Sequence, residues 1–212
     1  MQIRSLYLRS GSRLLILVLL ALLFLFFLIR STLYPFLAPN QPPYRGWMII
    51  EGWIEDAALI QAISLYTDGD YEGIYTTGVP LDVGSPLLSY QTYAEMTTAR
   101  LIALGIPPDE IRTVSATYAQ RDRTYRAALA LRDALHADGM SEGDLHLISV
   151  GPHSRRSRLL FRTALGDRFS IGISALPDSS YSSEKWYQYS EGVRAVLAES
   201  IAYLYALWSP RS

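Results

Sequence analysis

The sequence contains no cysteine, a single lysine and three histidines in 212 residues. Without cysteine there can be no disulfide and no thiolate metal site, although that absence names no compartment. The lone lysine, Lys185, follows no glycine-rich turn, so a phosphate-gripping lysine of the nucleotide-loop kind is excluded. No G-x-G-x-x-G follows the first apolar strand-like run, and no G-x-S-x-G elbow is present. No His/Asp spacing suits a metal either, and no particular cofactor is indicated. Acidic residues are missing from the whole stretch before Glu51.

That acid-free stretch carries an uninterrupted apolar run, Leu14 to Ile29, bounded by Arg13 and Arg30. Sixteen helical residues span roughly 24 Å, and the tolerated flanks from Gly11 to Thr32 bring the length near the roughly 30 Å of a bilayer core. The following "IRSTLYPFLAPN" offers no small-x-small cleavage triplet, so an uncleaved anchor is favoured over a signal peptide. Arg4, Arg9 and Arg13 hold the N-terminus in the cytoplasm by the positive-inside rule. The expected organisation is a stub and transmembrane anchor over 1–33, a proline-rich tether over 34–45, and an extracytoplasmic domain over 46–212. From Gly46 onward 14 basic side chains face 20 acidic ones, a net of −6. That balance leaves no nucleic-acid footprint.

Within the domain, short buried runs alternate with helical periods. "WMIIEG" (47–52), "YEGIYTTG" (71–78), "IRTVSA" (111–116), "LHLISV" (145–150) and "FSIGISAL" (169–176) read as strands. Helical stretches are expected near 55–67, 91–104, 123–137, 154–165 and 186–207. This alternation predicts a Rossmann-like, three-layer α/β domain with a mainly parallel five-stranded sheet. Open parallel sheets bind ligands beyond the carboxyl ends of their strands. There the sequence places Glu51-Gly52-Trp53, Thr76-Thr77-Gly78, Asp122-Arg123-Thr124 and Gly151-Pro152-His153-Ser154-Arg155-Arg156.

Each of these residues has a plain alternative. Helical phase sets Arg155, Arg158 and Arg162 together on an outward, solvated stripe, whereas Arg156 lies at the edge of the apolar face. His153 extrapolates to the inward face at a helix start, a place suited to an anion. His146, inside a strand, and His136, near a helix end, read as structural or exposed. Thr124 points toward the sheet, and Asp122 or Thr124 can equally be a helix cap. Glu51 closes an apolar run, where a carboxylate needs a partner. Arg123 or Arg156 would supply one; otherwise Glu51 is a candidate acid or base. Arginine outnumbers lysine eighteen to one, a bias that favours bidentate oxyanion binding and that a GC-rich genome would give without any function. The candidate set is Glu51 and His153 for catalysis, with Thr77, Gly78, Arg123, Thr124, Ser154 and Arg156 for binding a phosphorylated or otherwise anionic ligand.

Those pieces also carry a resemblance. "EGW" after the first strand, "TTG" after the second, "ALGIPPDEI", "DRTYRAALALRDAL" and "VGPHSRRSRLLF" make the chain, from Gly46 to about Trp208, similar to the YdcF/SanA/ElyC-like family of bacterial envelope proteins. The resemblance implies a Rossmann-like domain, often behind one transmembrane helix, with roles in envelope integrity and peptidoglycan or lipid-carrier metabolism. One soluble member type is linked to S-adenosylmethionine. Many relatives carry an N-T-x-E-N-A segment, which here reads Arg123-Thr124-Tyr125-Arg126-Ala127-Ala128. The threonine and final alanine remain, and no role of the lost acidic and amide side chains carries over.

Overall fold

A computed structural model describes residues 2–209. The chain begins with one long helix, α1 (Gln2–Leu37), and then alternates: β1 (Arg45–Glu51), α2 (Asp56–Asp68), β2 (Asp70–Gly78), α3 (Tyr93–Ala103), β3 (Ile111–Ser115), α4 (Arg123–Ala137), β4 (Gly143–Val150), α5 (His153–Leu165), β5 (Phe169–Leu176) and α6 (Ser190–Trp208). A 3-10 segment, Ser183–Gln188, leads into α6. The five strands form one sheet in the order β3-β2-β1-β4-β5, every pair parallel. Strand order reverses between β1 and β4, which opens a crevice beyond their carboxyl ends.

The sheet is apolar on both faces because helices cover both. Met48, Ile50, Ile74 and Ile148 pack with Leu59 and Leu101 of α2 and α3. Ile49, Tyr75, Leu147 and Ile173 point the other way, onto Leu131 of α4 and Phe161 of α5. This period-two division of β1 is what a central strand of a doubly wound sheet requires.

The amino end of α3 is pinned by Thr92, whose hydroxyl accepts from the Glu95 N–H at 3.1 Å, while the Glu95 carboxylate takes the Gln91 N–H at 2.7 Å. This reciprocal cap brings α3 hard against the tips of β1 and β2. A Cβ on Gly52 would lie 2.5 Å from the Tyr93 carbonyl oxygen, and one on Gly78 2.6 Å from the Ala94 nitrogen. Only glycine permits that approach.

Leu14–Leu37 is long and apolar enough to cross a membrane. The tether expected over 34–45 is absent in that form. Residues 34–37 are the last turn of α1, with Tyr34 and Leu37 buried against Tyr181, Trp186 and Val196. Gln41 then bridges Ile173 in antiparallel fashion, its N–H donating to the Ile173 carbonyl at 2.8 Å and its carbonyl accepting at 3.1 Å. The incoming chain thereby covers the free edge of β5. Apolar side chains between the prolines make docking more favourable than a solvated tether.

The outward arginine stripe of α5 is corrected for the same reason. Arg155 donates to the Phe36 carbonyl and lies 4.0 Å from the Phe36 ring centre. Arg158 donates to the Ile171 carbonyl at 2.8 Å and to Gln41 at 2.6 Å. Arg162 alone of the three is exposed.

Candidate functional site

Beyond the carboxyl ends of β1 and β2 lies a cleft of about 450 Å³. Glu51, Thr77, Gly78, Arg123, Thr124, His153 and Arg156 all line it, together with Trp53, Tyr93, Gln120 and Asp122. Seven of the eight sequence candidates therefore meet in one place. Ser154 does not: it is fully buried in the first turn of α5, its hydroxyl without a hydrogen-bond partner. Thr77 is almost wholly buried, with its hydroxyl 3.4 Å from the Ile50 carbonyl. Gly78 contributes backbone, and its lack of a side chain serves the packing of α3.

Glu51, the last residue of β1, is 4 % exposed. Neither Arg123 nor Arg156 is its partner. Ser157, one turn into α5, donates to both carboxylate oxygens at 3.0 and 2.9 Å. His153 Nε2 stands 3.8 Å from Oε1, an ion-pair distance too long for a hydrogen bond. Burial by itself would raise the Glu51 pKa, but the neighbouring imidazolium and the hydroxyl donor outweigh it and hold the group below the usual carboxylate range.

Glu199 of α6 anchors the other side of His153. Its Oε1 lies 2.8 Å from Nδ1 of His153 and 2.9 Å from Nη2 of Arg156, while its Oε2 accepts from Arg156 Nε at 2.7 Å. Burial opposes protonation of His153, yet the bond to Glu199 and the nearness of Glu51 overcome it and lift the imidazole to about 9. Glu199 moves the opposite way: burial would raise it, but Arg156 and His153 bring it to about 2. With His153 doubly protonated, its Nδ1–H and the Arg156 Nη2–H converge on the same carboxylate oxygen. Their 2.9 Å separation is then a contact between two donors sharing one acceptor. The Trp53 ring stands against the imidazole, centroids 4.7 Å apart and planes at 72°. Nε2 is buried and has no hydrogen-bond partner. An imidazolium thus lines the cleft beside a buried carboxylate, with its Nε2–H unpartnered and out of contact with solvent.

Arg123, at the start of α4, also lines the cleft and is held bidentately by Asp82 at 3.0 and 2.9 Å. Asp122 sits at the helix cap position of α4 but its side chain makes no capping bond. Its φ of 56° puts a non-glycine residue in the left-handed region at the mouth of the cleft.

Sequence reasoning missed Glu199 and Asp82. Glu199 had a readable signal, since it is the only acid within the apolar run from Ala195 to Trp208, as Glu51 is at the end of its own. Asp82 had none, because its role depends on where the loop after β2 lies. Among the described residues no group of histidines and carboxylates is arranged to hold a metal ion. Comparison of the chain with family models, curated proteins and solved structures gives no match.

Proposed function

We propose that this is a membrane-anchored protein of bacterial envelope biogenesis whose cleft takes a phosphorylated or otherwise anionic ligand, acting on a lipid-linked cell-wall precursor. The observation that carries the reading is the unpartnered Nε2 of His153, set 3.8 Å from Glu51 at the crevice where strand order reverses. An anion accepting from that N–H replaces the long contact with Glu51 by a charge-assisted hydrogen bond. The first turn of α4, with Thr124 and Arg123, adds further donors to the lining of the cleft. His153 is then the acid and Glu51 the base of a phosphoester reaction. The basic N-terminal flank of α1 favours an extracytoplasmic domain on the inner membrane. The motifs similar to the YdcF/SanA/ElyC-like family point the same way.

A second reading has its own support. Arg156 and Arg123 are already paired with carboxylates, an arrangement that suits a fixed ligand-binding frame without turnover. Mass spectrometry of compounds co-purifying with the detergent-extracted protein identifies the ligand. Binding measured on Glu51→Gln then separates the readings: retained affinity with lost turnover makes the cleft an active site. Retained affinity with no turnover in either form makes it a sensor. No anionic ligand in the wild type, and no loss of envelope function in His153→Asn, would reject both.

A further inference from the structure

The two ends of the sheet differ in a way that neither the anchor nor the cleft requires. At the amino end, Arg45 and residues 68–72, 107–112, 138–144 and 167–168 carry nine acidic side chains and three basic, with Arg45 and Arg112 paired to Asp144 and Asp138. At the carboxyl end, the connection 79–92 after β2 holds a single charge, Asp82, which is neutralised by Arg123. That connection leaves Val83 87 % and Leu87 89 % exposed, with Leu88 beside them. Tyr118, in the connection after β3, is 74 % exposed, and Trp53, after β1, is partly so. Isolated exposed apolar residues are ordinary, but these lie on successive connections at one end of the sheet.

The anchor leaves from that same end. Residue 41 pairs antiparallel with β5, so the chain traced backward from Gln41 runs toward the strands' carboxyl ends. Tyr34 follows there: a Cβ on Gly151, the residue after β4, would stand 3.3 Å from its hydroxyl oxygen. One helical turn further back, about 6 Å, is Arg30. Its guanidinium lies 4.4 Å from the Tyr187 ring centre, and its carbonyl accepts from Trp186 at 3.2 Å. An arginine with tryptophan and tyrosine at the end of an apolar span is the composition of a membrane–water interface.

We infer that the carboxyl-end rim of the sheet lies on the bilayer that holds α1, with Val83, Leu87, Leu88 and Tyr118 set into its interfacial layer and the acidic end facing away. The occupant of this surface is lipid, because α1 brings the rim to a bilayer and its packing on α6 leaves no flexible tether to carry it off. The charge of the amino end agrees, since an anionic lipid surface repels an end whose nine acids exceed its three basic side chains. Interfacial apolar side chains reach about 5–10 Å below the head groups, a depth open to exposed loop residues at the end of the sheet from which α1 leaves. The inference rests on the anchor reading and is independent of which ligand the cleft binds.

The absence of cysteine makes the test direct. Single-cysteine variants Leu87→Cys, Tyr118→Cys, Asp109→Cys and Leu22→Cys of the full chain are labelled with an environment-sensitive nitrobenzoxadiazole. They are then placed in phosphatidylcholine/phosphatidylglycerol nanodiscs, with and without lipid bearing a doxyl quencher near the head of the acyl chain. Loss of fluorescence to the quencher is expected at 87 and 118 and not at 109, while 22 emits as a label deep in hydrocarbon. Labels at 87 and 118 that behave like 109, with 22 still in hydrocarbon, would overturn the rim contact and leave the anchor standing. A label at 22 exposed to water would remove the anchor, and the rim contact with it.

Discussion

Two histidines seven residues apart, His146 within β4 and His153 just past its end, are held in opposite charge states. His146 is fully buried; its Nδ1 pairs with the Tyr71 hydroxyl at 2.5 Å and its Nε2 with the Ser174 hydroxyl at 2.8 Å. Its partners are hydroxyls, which bring no compensating charge, so desolvation decides and the imidazole falls to about 4. His153 stands between Glu51 and Glu199, and there the carboxylates outweigh desolvation. Burial alone therefore does not set the charge of a histidine; the ionisation of its neighbours does. Along one strand the interior passes from a neutral polar cluster to a buried ionic one, and the ionic one lines the cleft.

The largest break in this contrast is to remove Glu199. Arg156 and His153 would then share a partly buried site without their common counter-ion, and truncating one partner of such a pair costs about 3–5 kcal/mol. Glu199→Ala is expected to lower stability by that order in chemical denaturation. Glu199→Gln, which keeps a hydrogen-bond acceptor, should lose less. If Glu199→Ala unfolds at wild-type denaturant concentration, the network is ornamental.

Acidity and alkalinity should act on the two histidines in opposite senses. The folded pKa of His153 is raised, so its contribution is complete below about pH 6.5 and fades as pH rises through about 9. The folded pKa of His146 is depressed, so its contribution is complete above about 6.5 and fades as pH falls through about 4. Each displacement corresponds to roughly 3 kcal/mol. The depressed Glu199 describes the same attraction as the raised His153 from the other side, and the two are not added. Stability measured against pH should lose its alkaline limb in His153→Asn and its acid limb in His146→Asn. Imidazole titrations followed by NMR should bracket neutrality, one on each side. Two histidines titrating together near 6.5 would end the contrast.

The sheet and the position of the cleft were legible because apolar runs of strand length ended in residues with no business in a core. Glu51 closing "MII" and His153 after "ISV-GP" were visible in one dimension, since the cost of an isolated polar group at the end of a buried run is local. What satisfies them was not local. Glu199 reaches His153 from a helix 46 positions away, and Ser157 reaches Glu51 across 106. Helical phase set Arg156 apart from its neighbours, and of the α5 arginines Arg156 is the one that lines this cleft. It assigned Arg155 and Arg158 to water because phase cannot know that residues 36–41 return to cover that face.

A smaller test sharpens the neutral side. Tyr71→Phe removes the hydroxyl that satisfies Nδ1 of His146 and leaves ring volume almost unchanged. The loss should be about 1–2 kcal/mol, the usual effect of orphaning a buried polar group. It should leave the alkaline limb untouched, because Tyr71 contacts nothing in the ionic cluster.

The smallest expected effect lies on α5, the helix that carries both kinds of arginine. Arg156 belongs with His153, sharing Glu199 and lining the cleft. Arg158 holds the Ile171 carbonyl and Gln41, so Arg158→Ala should cost about 1 kcal/mol by freeing the segment that covers the edge of β5. Arg162, one turn further on, is exposed and takes part in no ion pair among the described residues. Its removal should change stability by no more than about 0.5 kcal/mol and should relieve the like charge that lowers the Arg158 pKa after burial has done so. Thermal unfolding of the three alanine variants in one detergent should therefore rank Arg156, Arg158 and Arg162 in that order of damage. An Arg162→Ala variant as damaged as Arg156→Ala would mean that the helix face, and not the shared carboxylate, sets the importance of its arginines.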